Sequence, residues 1–389
     1  MGEFIYLDSG ATSWPKPQPV LDEMMKALTE YGANPGRGAY DMALKASMKV
    51  FKARQILTEF FNGENPQRLI FTANTTDGLN LALHGLLQKG DHVLYSPLEH
   101  NAAWRPLMTM AEECGVEAEM IEPEANGKIS AQGVARQLRA DTKMVVCAHA
   151  SNITGTIQPI KEIGQTVRDH GALFLVDAAQ SAGILPVDIR EMNIDLLAAP
   201  GHKSLYGPMG IGILYVGERA SDIRPTRQGG TGSHSLESRQ PKSFPDRLEC
   251  GTINLPGVAG LAAAIEYFNE QGVEQIMTDL ADKTQYLLRG LTDIEGVTIY
   301  GPPAGEPRTS LVAVNVEGLS SNELALTLDK EYNIAVRAGF HCAPLGHTVM
   351  QTLSAGAVRF GLGRATTYAQ LDFVIQAMAE IAAAAREEA

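Results

Sequence analysis

Through the first 260 residues, short apolar runs alternate with longer stretches whose apolar positions recur at helical spacing. That is the pattern of a mainly parallel sheet covered by helices on both faces, an α/β unit. The runs predict strands at 68–72, 92–96, 144–148, 172–176, 196–199 and 212–216, with helices fitted between them. From about residue 260 the pattern changes to a long helix from 261, strand-like pieces at 297–300 and 311–316, further helix and a last strand at 357–361. These describe a second, smaller α+β unit. Residues 225–244 are rich in Gly, Ser, Arg and Pro without apolar periodicity, and a loop of that length is usually functional or disordered. The alanine-rich carboxyl end, AEIAAAAREEA, suits a surface helix better than a tail. No internal repeat is visible.

Composition narrows the class. With 389 residues, 44% of them hydrophobic and 20% charged, the chain can bury more than one core and is neither disordered nor membrane-spanning, so two domains are expected. A net charge of −13 excludes any broad embrace of nucleic acid or anionic lipid, since both need clustered Lys and Arg. A small-molecule enzyme is the better expectation. The start, MGEFIYLDSG, has no basic segment leading into an apolar stretch, so no secretory signal is expected. Cys114, Cys147, Cys250 and Cys342 lie far apart with no CxxC pair, which argues against a zinc site or a disulfide framework and for free thiols in the cytoplasm.

The richest neighbourhood is 172–203, where one buried strand runs into Asp177 and the next into Pro200, Gly201, His202 and Lys203. Ligands of open α/β sheets bind beyond the carboxyl ends of the strands, so Asp177 and Lys203 can face one crevice. An acid and an amine together there suggest pyridoxal 5′-phosphate (PLP): Lys203 would bind it covalently, and Asp177 would keep its pyridine nitrogen protonated. Taken singly, each is as well explained as an ordinary surface residue. Gln180, one turn past Asp177, strengthens the joint reading. In FTANTTDGLN a strand gives way to a helix, and Thr75 and Thr76 become phosphate candidates beside the free N–H groups of the helix start. A helix N-cap explains the same threonines.

Cys342 lies in RAGFHCAPL, whose glycine and proline favour a turn over a helix interior. Arg337 and His341 are close enough in sequence to favour its thiolate, while a buried inert thiol is the alternative. The other three cysteines read as structural. Arg359, in AGAVRFGLG on an expected strand, suits the carboxylate of an amino acid, or else an ordinary ion pair.

From YLDSGATS through SNITGT, LVDAAQSAG, GHKSLYGPMGIG and CGTINLPG to RAGFHCAPL and Arg359, the chain resembles a class V aminotransferase-fold PLP enzyme of the cysteine desulfurase or selenocysteine lyase group. The resemblance covers nearly the whole chain. It implies fold type I, the aspartate aminotransferase-like architecture, with a large PLP-binding domain over residues 15–260. The small α+β domain would comprise 1–14 and 261–389 and carry the reactive cysteine and the substrate-carboxylate arginine. His100 would stack on the cofactor ring and join Lys203 and Cys342 as a catalytic residue. Asn152 and Gln180 would bond the ring hydroxyl region, Asn152 and Arg359 would bind substrate, and His202 would join Thr76 at the phosphate. Thr252 would reach the phosphate of a neighbouring subunit's cofactor, which makes the enzyme a homodimer. The implied reaction takes L-cysteine to L-alanine, with sulfur passing to Cys342 as a persulfide and on to a thiol or a protein of iron–sulfur cluster assembly.

Two positions depart from the pattern. Pro200 stands where many desulfurases have a phosphate-binding serine, and Phe340 replaces the first of two adjacent histidines. L-Selenocysteine is the rival substrate, because selenium leaves without help from an enzymic thiol. Another PLP-dependent β-lyase, or a non-catalytic sulfur carrier on the same fold, completes the alternatives.

Overall fold

The structure, a computed structural model, describes residues 3–36 and 38–388. The chain enters through β1 (Ile5–Tyr6) and two helices, α1 (Gln18–Thr29) and α2 (Asp41–Phe60). There follow β2 (Leu69–Thr72), α3 (Thr75–Leu86), β3 (His92–Tyr95), α4 (Asn101–Cys114), β4 (Glu117–Met120), α5 (Ala131–Gln137), β5 (Thr142–Ala148), α6 (Ile160–His170) and β6 (Leu173–Asp177). Then β7 (Leu196–Pro200) and β8 (Gly212–Val216) complete a seven-stranded sheet of order β2-β8-β7-β6-β5-β3-β4. Strands β3 to β7 run parallel, and β8 is antiparallel to both its neighbours.

Apolar runs replace alternation in these strands because both faces are covered. In β6, Phe174 and Val176 pack into a core with α1, α2, α6 and residues of the segment after β8. Leu173 and Leu175 face the opposite way, into a core with α3 and α4. Helices do not fill every connection, contrary to expectation. Between β6 and β7 the chain is irregular, because its buried Ala182, Ile184, Val187, Ile189 and Ile194 lack helical spacing and Pro186 interrupts the run. The link from β7 to β8 is likewise non-helical, as an antiparallel pair needs no crossover.

After the irregular segment 225–244, α7 (Leu255–Gln271) and α8 (Val273–Thr292) lead into β9 (Val297–Tyr300), β10 (Leu311–Val316), α9 (Ser321–Tyr332), β11 (Ile334–Ala335), α10 (Pro344–Val349), β12 (Val358–Gly361) and α11 (Tyr368–Glu388). Strands β12, β10 and β9 form an antiparallel sheet, and β1 pairs with β11. Ile5 and Leu7 enter the core that this sheet shares with α8, α9 and α11. No helix among the described residues is long and apolar enough to cross a membrane.

Candidate active site

One cavity, about 240 Å³, gathers the carboxyl ends of β6 and β7, the starts of α3 and α4, the N-terminal segment, β12 and the loop before α10. Asp177 ends β6, buried, with Oδ1 accepting the Ala179 N–H at 2.8 Å. Burial pushes its carboxyl upward, while that hydrogen bond and the Lys203 charge pull it back. Lys203 stands three residues past β7 in a turn that begins at Gly201, where a Cβ would lie 2.8 Å from Ile211 Cγ2. Burial lowers its amine to about 8, and Asp177 offsets part of that shift.

At the start of α3 the N-cap is Asn74, whose side chain accepts the Asp77 N–H at 3.0 Å. Neither threonine is needed for that role. Thr75 is buried with an unpartnered hydroxyl, Thr76 is exposed, and both line the cavity. His202 joins them; its Nδ1 is buried and unpartnered, and burial with the Lys203 and Lys16 charges lowers it to about 4.

His100 caps α4: its Nδ1 accepts the Ala102 N–H at 3.0 Å, which places the proton of the neutral ring on Nε2. Burial and then the Lys203 charge hold it at about 4, so the ring is uncharged at neutral pH. Asn152 donates through Nδ2 to the His341 carbonyl at 2.7 Å, leaving a buried, unpartnered Oδ1. Gln180 donates to the Gly10 carbonyl at 3.0 Å. Arg359, almost completely buried, spends Nη1 on the Asn152 carbonyl at 2.7 Å and Nη2 on Asp8 at 2.9 Å, with Nε unpartnered. Gly10 makes this approach possible: a Cβ there would stand 3.0 Å from the guanidinium carbon.

Cys342 is exposed in a loop, and both it and His341 are left-handed, with φ of 56° and 50°. For residues with a Cβ this conformation is strained. Hydrogen bonds hold it in place: Asn152 grips the His341 carbonyl, the Asn101 N–H grips the Cys342 carbonyl at 2.8 Å, and His341 Nε2 donates to Ala357 at 2.9 Å. His341 is buried and lowered to about 3, chiefly by burial. It is therefore neutral and lends no charge to Cys342; of the two groups named from sequence, only Arg337 on the cavity wall is a cation. Cys147 is buried, whereas Cys114 is exposed at the end of α4 rather than packed in an apolar setting.

The cavity thus brings together Thr75, Thr76, His100, Asn152, Asp177, Gln180, His202, Lys203, Cys342 and Arg359. Thr252 is exposed and outside its lining. Sequence reasoning missed Asp8, Lys16 and Glu99. Glu99 is fully buried under the site; its Oε1 accepts from Ser96 Oγ and the Ala148 N–H, both at 2.6 Å. Burial, reinforced by the Asp177 charge, raises it to about 8. The signal for Asp8 and Lys16 was present in YLDSGATSWPKP, but their contacts lie far away in sequence.

Residues 5–374 match the aminotransferase class-V family. A probable cysteine desulfurase of Methanothermobacter thermautotrophicus is 33% identical over 386 residues, covering 98% of this chain and 95% of the relative. A cysteine desulfurase of Haloferax volcanii is 32% identical, covering 87% of this chain and 80% of the relative. The apo structure of a cysteine desulfurase from Thermococcus onnurineus superposes with a TM-score of 0.91 at 33% identity, over 98% of this chain and 95% of that one.

Proposed function

The chain belongs to the class-V aminotransferase family, and from that premise we propose that it is a cysteine desulfurase taking L-cysteine to L-alanine, with sulfur carried off on Cys342. One observation carries the reading: Lys203, Asp177, Arg359 and Cys342 line the same cavity. They supply an amine and an acid for one cofactor, a guanidinium with an unpartnered Nε–H for an amino-acid carboxylate and a thiol for its sulfur.

The donor set fits PLP. The unpartnered Thr75 hydroxyl and His202 Nδ1, beside the amino end of α3, suit a phosphate, and the buried Asp177 carboxylate suits a protonated ring nitrogen. When bound, PLP supplies an electron sink for negative charge at the substrate Cα. Lys203 would hold it and then accept the Cα proton on Nζ, a task matched to an amine near 8. The neutral His100 ring would cover one face of the cofactor, Asn152 and Gln180 would fix its hydroxyl edge, and Asn152 with Arg359 would orient the substrate.

Cys342 Sγ, as thiolate, attacks the substrate sulfur. An S–S bond forms as the Cβ–S bond breaks, and the electron pair stays on carbon and takes up a proton. L-Alanine and a Cys342 persulfide result, and the exposed loop offers the persulfide to an acceptor thiol or protein. Cysteine is favoured over selenocysteine because a thiol in the cavity wall has work to do only when sulfur leaves. A homodimer with Thr252 at the neighbouring phosphate belongs to the same proposal. It is supported by a stripe of α2 on which Leu44, Met48 and Phe51 are more than half exposed. Four unpaired cysteines are in keeping with the cytoplasm.

The test is to supply L-cysteine and L-selenocysteine separately and measure alanine with sulfide or selenide. Native protein should consume cysteine, and Cys342→Ala should lose sulfide release while retaining selenide release. Undiminished cysteine desulfuration by Cys342→Ala would overturn the proposal.

A further inference from the structure

The N-terminal segment makes a contact that the reading above does not use. Four donors converge on the His202 carbonyl oxygen: the Ser13 N–H at 3.0 Å, the Thr12 and Ser13 hydroxyls at 3.1 Å, and Lys16 Nζ at 2.8 Å. A carbonyl has two lone pairs, so this acceptor is oversubscribed. It also belongs to the peptide bond joining His202 to Lys203. Lys16 donates in addition to Ser13 Oγ at 2.8 Å, and no carboxylate among the described residues forms an ion pair with it. Burial lowers its amine only to about 8, so it keeps its proton at neutral pH. The His202 ring feels that charge, for Lys16 contributes to its lowered pKa.

The groups placed at the phosphate, Thr75, Thr76 and His202, bring no positive charge of their own. Thr75 and Thr76 offer hydroxyls, His202 is neutral, and Pro200 has neither a hydroxyl nor an N–H to give. Lys203, Arg337 and Arg359 line the cavity elsewhere: Lys203 and Arg359 already have roles with the cofactor and the substrate carboxylate, and Arg337 is bridged through its backbone to Arg359 in the segment that leads to Cys342. Burying a phosphate dianion against neutral donors alone is costly, and a nearby ammonium without a protein anion offsets that cost.

We propose that Lys16 supplies the positive charge for the cofactor phosphate, acting from behind the His202 peptide rather than by contact. The inference rests on the assignment of PLP to this cavity. It makes Lys16 a positioning residue that favours a phosphorylated ligand over its unphosphorylated counterpart.

The experiment compares PLP with pyridoxal, which shares the ring and aldehyde but lacks the phosphate. Each is titrated spectroscopically into full-length, cofactor-stripped native protein and the Lys16→Gln and Lys16→Arg variants. Glutamine keeps a donor for the His202 carbonyl and removes the charge; arginine keeps the charge. Lys16→Gln should bind PLP about tenfold more weakly and pyridoxal as the native protein does, with Lys16→Arg restoring PLP affinity to near native. Equal weakening of both ligands would mean that Lys16 merely shapes the Lys203 turn, and would overturn the inference, as would native PLP affinity in Lys16→Gln. If native protein gave no borohydride-trapped PLP adduct on Lys203, the cofactor assignment would fall and the inference with it.

Discussion

Lys203 and Cys342 line the same cavity, yet the protein presents them in opposite ways. Lys203 follows a central strand of the seven-stranded sheet, behind a glycine turn, with its amine lowered to about 8 and a buried carboxylate as counter-charge. Cys342 sits exposed in a loop, its backbone left-handed, oriented by hydrogen bonds to the carbonyls on either side of its own amide. The difference follows from the work each would do. An acid or base is tuned by withdrawal from water, so its place is a rigid strand end. A sulfur carrier must meet a substrate inside and an acceptor outside, so it needs exposure. Its precision comes from a strained turn costing about 1–3 kcal/mol per residue, repaid by surrounding contacts.

The largest effect should come from removing the buried amine. Lys203→Ala is expected to abolish turnover and the borohydride-trapped adduct, and an adduct on another lysine would break the comparison at its first term. In native protein, capture of PLP needs the neutral amine, so its rate should rise with pH with a midpoint near 8 and level off above it. A midpoint near the ordinary lysine value would show that burial does not tune this group.

Asp177→Asn should come next. It keeps the shape and deletes the counter-charge, and losing a charge-assisted hydrogen bond worth about 1.5–3 kcal/mol slows turnover roughly 10- to 150-fold. PLP should still bind, and near-native turnover would sink the role given to Asp177.

Much of this scaffold was legible because β2, β3, β5, β6, β7 and β8 are buried runs bounded by turns. The edge strand β4, Glu-Ala-Glu-Met, was missed, since a half-exposed edge carries no apolar run. So were the two-residue pieces β1 and β11, which exist only by pairing with each other. At the site, Asp177 and Lys203 were readable because a strand end and a turn mark them locally, and Arg359 because it is a lone cation within an apolar strand. Asp8 was not: it acquires its meaning from Arg359, 351 residues away, as Lys16 does from His202, 186 residues away. Glu99 was not readable either, for nothing local tells that it is buried.

The last effect concerns Glu99 and appears in stability rather than in turnover. Its folded pKa, about 8, lies above the unfolded value near 4.3. Its contribution is therefore fully present below the unfolded value and lost as pH rises toward 8. Glu99→Gln should remove a pH dependence on the order of a few kcal/mol across that window, measured by denaturant unfolding at pH 5 and 8. An unchanged difference between the two pH values would show that Glu99 is not held protonated.

The passage of sulfur through the exposed cysteine is tested most directly by brief exposure to L-cysteine, alkylation and peptide mass mapping. The account predicts one additional sulfur atom on the Cys342 peptide of native protein, appearing with an equivalent of alanine, and neither that sulfur nor sulfide release in Cys342→Ala. Alanine formed at the native rate in Cys342→Ala, with no sulfur on Cys342 in the native chain, would contradict it.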